Sequence, residues 1–130
     1  SGFSFATVNG ISVTNVTTQA DVNVSTVGQT SGLMLRYTDT NKYLYADLYN
    51  YNGTVYARIF QVQGGSFTLL NQVSVGSTAT GTLRFVANGT TLSLFLGVNQ
   101  IASATDTAPT AGTVGIASSL GGTLDNFNAS

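Results

Sequence analysis

Charged residues are scarce in this chain, and three of them fall in the middle of expected strands within one stretch that is also rich in tyrosine. Arg36, Asp47 and Arg58 stand among Tyr43, Tyr45, Tyr49 and Tyr56. In Lys42–Tyr49 the side chains alternate, because successive residues of a strand project to opposite faces. Leu44, Ala46 and Leu48 point one way; Tyr43, Tyr45, Asp47 and Tyr49 point the other. Met34 and Arg36 likewise oppose Leu33 and Leu35, and Tyr56 and Arg58 oppose Val55, Ala57 and Ile59. If hairpins make these segments neighbours, one sheet face gathers Arg36, Tyr43, Tyr45, Asp47, Tyr49, Tyr56 and Arg58, with Arg84 joining from another strand. A tyrosine ring covers the apolar face of a sugar and offers a hydroxyl at its tip. Arg and Asp supply directional hydrogen bonds to neighbouring hydroxyls. The face is therefore the candidate ligand site, and a glycan or cell-surface polysaccharide its candidate ligand. The same residues also suit a structural role. Cross-strand aromatic pairs and an Arg36–Asp47–Arg58 ladder stabilise a solvated sheet by about 0.2–1 kcal/mol per pair.

Other chemistries lack their residues. The 130-residue chain has four basic and five acidic residues, a net charge of −1, and no His, Cys or Trp. Every acidic residue is Asp, so Glu is missing too. Thiol nucleophiles, imidazole acid–base catalysis, disulfides and the usual zinc ligand sets are excluded. Near-neutral charge gives no footprint for nucleic acid, and the apolar runs are too short to insert in a membrane as helices. Glycoside hydrolysis normally needs two facing carboxylates, yet only Asp47 joins the aromatic face. Lys42 is the only lysine, and no base partners a Ser or Thr. An enzyme is not expected. Calcium needs about six to eight oxygens, usually including carboxylates. Asp125, in Asp125-Asn126-Phe127, is the candidate ligand for a structural calcium ion, helped by backbone carbonyls. Alternatively it accepts backbone N–H bonds beside the first strand. Asp106 reads as a turn former before Pro109.

The elements that must hold the face are strands. Apolar and polar residues alternate in Ala20–Ser25 and in Leu92–Leu96, and no window carries a helical stripe. Asn9-Gly10, Asn52-Gly53 and Asn88-Gly89 are hairpin signals, because type I′ turns need positive φ at both central residues. Gly64-Gly65 and Asp39-Thr40-Asn41 add turns. Strands are predicted near 3–8, 11–17, 20–27, 32–38, 43–50, 54–62, 66–75, 80–87, 90–97, 99–104, 112–117 and 123–128. Short strands at this spacing imply an all-β fold, a sandwich of two antiparallel sheets in one domain over 1–130. Its expected core is Val22, Val24, Leu33, Leu35, Leu44, Ala46, Leu48, Val55, Ile59, Leu69, Val73, Val75, Leu83, Phe85, Leu92, Leu94, Leu96, Val114, Ile116, Leu124 and Phe127.

The abundance of Thr, Asn, Gly and Ser with one Lys resembles bacterial or archaeal surface proteins, so an extracellular or cell-surface, prokaryotic location is expected. Ser1-Gly2-Phe3-Ser4-Phe5 has neither the basic start nor the apolar core of a signal peptide. The chain accordingly reads as a module of a larger secreted protein. Its five Asn-x-Ser/Thr sequons, at Asn15, Asn23, Asn52, Asn88 and Asn128, read first as turn and sheet chemistry.

Residues 31–45, Ser31-Gly32-Leu33-Met34-Leu35-Arg36-Tyr37 through Lys42-Tyr43-Leu44-Tyr45, resemble a signature of laminin G-like, concanavalin A-like modules. Leu83-Arg84-Phe85-Val86-Ala87-Asn88-Gly89 with Leu92–Leu96, and Gly112–Ile116 with Leu124-Asp125-Asn126-Phe127, follow in the same order. The resemblance covers about residues 20–128 and implies a jelly-roll sandwich. Such modules commonly bind glycans, sometimes with structural calcium, and share no single binding surface. This chain departs from the pattern where Gly81-Thr82 replaces a frequent Trp, and in having no Glu. The expectation is a non-catalytic, lectin-like carbohydrate-binding module. The competing expectation is a stalk, coat or fibre domain that makes protein contacts or oligomers.

Overall fold

The computed structural model describes residues 3–119 and 121–130. Among them the chain forms eleven strands: β1 (Phe3–Thr7), β2 (Val16–Asn23), β3 (Thr30–Asp39), β4 (Lys42–Tyr51), β5 (Thr54–Gln63), β6 (Ser66–Ser74), β7 (Thr80–Asn88), β8 (Thr91–Leu96), β9 (Asn99–Thr105), β10 (Thr113–Ser119) and β11 (Thr123–Ala129). A six-stranded sheet runs β1-β10-β3-β4-β5-β6, and a five-stranded sheet runs β11-β2-β7-β8-β9. Every pairing is antiparallel. The strands predicted at 11–17 and 20–27 are one strand, β2. Ahead of it, Val13 makes only an isolated bridge to Gly112, and Ile11 is exposed.

The core lies between the sheets. Leu33, Leu35, Leu44, Leu48 and Ile59 meet Val22, Val24, Leu83, Phe85, Leu92 and Leu94. Each such side chain contributes about 1.5–3 kcal/mol relative to exposure. Leu69 departs from the expected core and is 47% exposed. Ile59 faces Asn71 while Phe60 faces Leu69, so β6 carries one extra residue. Because the side-chain period is two, that step turns Leu69 outward and packs Leu70 on the core.

Turn chemistry sets the β3–β4–β5 meander. Asn52 and Gly53 adopt φ of 53° and 91°, a type I′ pattern that joins β4 to β5. At the β3–β4 turn the Asn41 amide donates to Asp39 Oδ1 at 2.7 Å. The other two expected type I′ turns differ. Gly89 alone takes positive φ in the Gly89-Thr90 loop, a type II′ pattern. Asn9-Gly10 lies where the chain leaves one sheet for the other, outside any hairpin.

A second bulge decides where Arg36 goes. Thr113 faces Tyr37 and Gly115 faces Met34, so three steps along β3 match two along β10. Arg36 absorbs the mismatch with φ of 51°, the left-handed region that is unusual for a non-glycine residue. Gly112 permits it, since a Cβ there would sit 2.4 Å from the Arg36 carbonyl carbon.

Candidate functional site

Adjacent strands bring most of the expected residues together on the outer face of the six-stranded sheet. Tyr45 faces Phe60, Asp47 faces Arg58, and Tyr49 faces Tyr56 across β4–β5. Across β3–β4, Thr30 faces Tyr49, Gly32 faces Asp47, and Met34 faces Tyr45. Met34, Tyr43, Tyr45, Val62 and Ala117 form an apolar cluster separate from the inter-sheet core, flanked by Tyr37 and Phe60. The burial of Tyr43 and Tyr45 thus comes from neighbours on their own face. Gly32 lets this face lie low. A Cβ there would meet Ala46 O at 2.4 Å, Tyr45 Cε1 at 2.6 Å and Asp47 Cβ at 2.8 Å. With no side chain at 32, Tyr45 and Asp47 lean over β3.

At the centre, Arg58 grips Asp47 with two bonds, Nε to Oδ1 at 2.8 Å and Nη2 to Oδ2 at 2.6 Å. The Tyr45 hydroxyl donates to Asp47 Oδ2 at 2.9 Å. Asp47 is fully buried, whereas the Arg58 side chain keeps 20% of its surface exposed. The guanidinium carbon lies 4.3 Å from the Tyr49 ring centre and 5.0 Å from that of Phe60. This two-sided stacking, with the bidentate pair, fixes the Arg58 fork in one orientation. Nη1 has no hydrogen-bond partner among the described residues. Burial lifts the Asp47 carboxyl above its ordinary value of 3.8, against the pull of Arg58 and Tyr45. Burial and then the Asp47 charge hold the Tyr45 phenol well above its usual range. Burial pulls the Arg58 pKa down, but the hydrogen bonds and charge of Asp47, joined by Tyr45 and Tyr49, together outweigh it and raise the pKa.

Above this centre lies an open cavity of about 530 Å³, lined by Thr30, Tyr43, Tyr45, Asp47, Arg58, Phe60, Phe67 and Ser119. Thr30 and Ser119 share a hydrogen bond of 2.5 Å along its rim. Phe60 and Phe67 were absent from the sequence-derived set. Phe60 was legible, since it shares parity with Tyr56 and Arg58. Thr30 was legible by parity with Met34. Phe67 sits on β6 beyond the bulge, where counting from the expected core residue Leu69 gives the wrong face.

Four expectations about charged residues need correction in location. Arg36 does not join the tyrosine face, because its bulge turns it between the sheets, where its side chain is 2% exposed. It donates to Asp106 Oδ2 at 2.8 Å, Thr14 O at 2.9 Å and Gly89 O at 2.5 Å. The Arg36–Asp47–Arg58 ladder is therefore two separate pairs, Arg58–Asp47 and Arg36–Asp106. Asp106 caps the Ala108 amide, as a turn former does, and also anchors Arg36. Arg84 belongs to β7 of the other sheet and stacks on Phe95 at 4.3 Å. Asp125 pairs with Asp21 of β2, not with the first strand. Its Oδ1 accepts the Asn126 amide at 2.8 Å. Across from it, both oxygens of Asp21 are taken by Thr82 and Asn126, bonds that lower its pKa. Among the described residues no three carboxylates cluster. Asp125 and Asp21 thus bring two carboxylates to this point of β11 and β2, without a third.

No protein-family model matches the chain, and no curated protein matches it. Its fold, however, has close counterparts among solved structures. The carbohydrate binding module CBM66 from Bacillus subtilis superposes with a TM-score of 0.80 at 17% identity, covering 98% of this chain and 81% of that one. Galectin LEC-6 from Caenorhabditis elegans gives 0.69 at 17% identity, with 98% and 89% covered. CG-16, a homodimeric agglutinin from chicken liver, gives 0.68 at 7% identity, with 98% and 100% covered. The chain has the jelly-roll sandwich fold of these proteins, as its motif order implied. At these identities the likeness is one of fold, and function has to be argued from the site.

Proposed function

We propose that this chain is a non-catalytic, lectin-like carbohydrate-binding module whose ligand lies on the outer face of the six-stranded sheet. One observation carries the reading. Arg58 is clamped by Asp47, stacked between Tyr49 and Phe60, lines an aromatic cavity, and has no partner for Nη1 among the described residues. A preorganised fork beside ring faces suits a sugar, which presents hydroxyls at its edge and C–H groups on its face. Tyr49, Tyr56, Arg58, Phe60 and Phe67 are the contact set, and Tyr43 and Tyr45, buried in the apolar cluster, form the floor beneath them. Asp47 is a positioning residue, since its oxygens already accept bonds from Arg58 and Tyr45. That engagement also argues against hydrolysis: both Asp47 oxygens already accept bonds, and among the described residues no second carboxylate lines the cavity. The printed descriptions of a carbohydrate binding module, a galectin and an agglutinin among proteins of this fold support the reading. A place at the prokaryotic cell exterior, within a longer secreted protein, goes with it.

Affinity electrophoresis through gels carrying soluble polysaccharides tests the proposal. Retardation by at least one polysaccharide, reduced in Arg58→Lys, is expected. Failure to bind any of them defeats it. An adhesive module remains the second reading. It is favoured by β6, an edge strand with no charged residue whose Phe67 and Leu69 are 52% and 47% exposed. Light scattering that finds a stable oligomer, with no glycan affinity, selects it.

A further inference from the structure

The outer face carries more than a single-sugar site. Ring contacts run from one edge of the sheet to the other. Phe5 on β1 lies 6.0 Å from Tyr37, Tyr37 5.4 Å from Tyr43, and Tyr43 6.1 Å from Phe67 on β6. Phe67 then meets Phe60 at 5.8 Å, and Phe60 meets Tyr45 at 6.0 Å. β1 and β6 are the two edges of the six-stranded sheet. Five steps between neighbouring strands make the sheet about 24 Å wide, and its rings lean inward, so the Phe5 and Phe67 ring centres lie no more than about 18 Å apart. Its end rings are the open ones: Phe5 is 45% and Phe67 52% exposed. Between them the surface is low, because Gly115, Ala117 and Gly32 put little or nothing above the backbone. The strip also has no charge to offer, since Arg58 is neutralised by Asp47 on the same face.

We propose that the ligand is the interior of a neutral polysaccharide, held along several consecutive units across the strands, and not a single terminal sugar or a charged glycan. This rests on the carbohydrate-binding reading above and sharpens its substrate class. An open strip with exposed rings at both ends lets a chain enter and leave. A terminal sugar is better served by a closed pocket. A polyuronate or sulfated glycan would find no net positive charge to balance its own.

Calorimetry on the whole chain provides the test. The probes are neutral polysaccharides (mixed-linkage glucan, xylan, galactomannan and levan) and two polyuronates, polygalacturonate and alginate. A ladder from disaccharide to hexasaccharide is then taken from the best neutral ligand. The hexasaccharide is expected to bind at least about tenfold tighter than the disaccharide, with the polyuronates weaker than both. Phe5→Ala and Phe67→Ala, each checked for folding by circular dichroism, should lower hexasaccharide affinity by about threefold to tenfold. Phe5→Ala should cost the hexasaccharide more than the disaccharide, since Phe5 lies farthest from Arg58. A disaccharide that binds as tightly as the hexasaccharide overturns the extended site while leaving carbohydrate binding intact. So does a polyuronate as the best ligand. Absence of any binding overturns both readings.

Discussion

The described residues contain two arginine–aspartate pairs of similar length and different setting. Arg36 meets Asp106 at 2.8 Å with side chains 2% and 5% exposed, while Arg58 meets Asp47 at 2.6 Å with 20% and 0%. Arg36 divides its donors among Thr14, Gly89 and Asp106, tying β3 to segments before β2, after β7 and after β9. It works as a clasp between the sheets. Arg58 spends two donors on one carboxylate, lies between two rings, and leaves Nη1 without a partner among the described residues. The pairing chemistry alone does not separate fold from function. What separates them is whether an edge of the guanidinium still faces outward.

Breaking the clasp should have the largest effect. Arg36→Ala strands Asp106 as a buried charge and should cost about 3–5 kcal/mol in urea unfolding. Any molecules still folded should bind the glycan within about twofold of the parent, because Arg36 spends its donors on Thr14, Asp106 and Gly89 and offers none to the outer face. Gly32→Ala comes next. Its Cβ must displace Tyr45 and Asp47 or press on Ala46 O, an overpacking cost of about 1–3 kcal/mol, with binding weakened as well. Arg58→Lys keeps the charge but loses the bidentate fork. It should weaken glycan binding about tenfold, with a stability change near or below about 1 kcal/mol. Thermal melts and calorimetry on the same samples separate these profiles.

A smaller effect should appear with pH. Burial raises the Asp47 pKa in the folded protein above the unfolded value, so its contribution to stability is present in acid and is lost as pH rises through the folded pKa. Binding should run the other way. Protonating Asp47 loosens the Arg58 clamp, so affinity should fall on acidification with a midpoint above 3.8 while the fold persists. A binding midpoint at or below 3.8 would disconnect Asp47 from the site. Arg84→Ala, on the opposite sheet, should change neither binding nor stability by more than about 0.5 kcal/mol.

Much of this arrangement was legible in the sequence. Period-two alternation placed Tyr43, Tyr45, Asp47 and Tyr49 on one face and Leu44, Ala46 and Leu48 on the other, because β4 pairs with β5 in unbroken register. Asn52-Gly53 specified the turn that makes Asp47 and Arg58 opposite neighbours. The failures share one cause. A bulge inserts a residue without changing composition, so alternation counted through it assigns the wrong face. That happened at Arg36 and at Leu69, each beside a register shift. Sheet order was equally hidden, since Arg84 sits in an alternating strand of the right type but of the other sheet. Asp125 showed why a carboxylate in a suggestive tripeptide is weak guidance to a metal. Its nearest donor is the amide of the next residue.

Backbone-amide NMR titration with the tightest-binding oligosaccharide tests the central claim most directly. The account predicts the largest shifts at Tyr43–Tyr49, Tyr56–Phe60 and Phe67, around the clamped Arg58. Shifts gathered around Arg84 and Phe95 on the five-stranded sheet, with the Arg58 face silent, would contradict it.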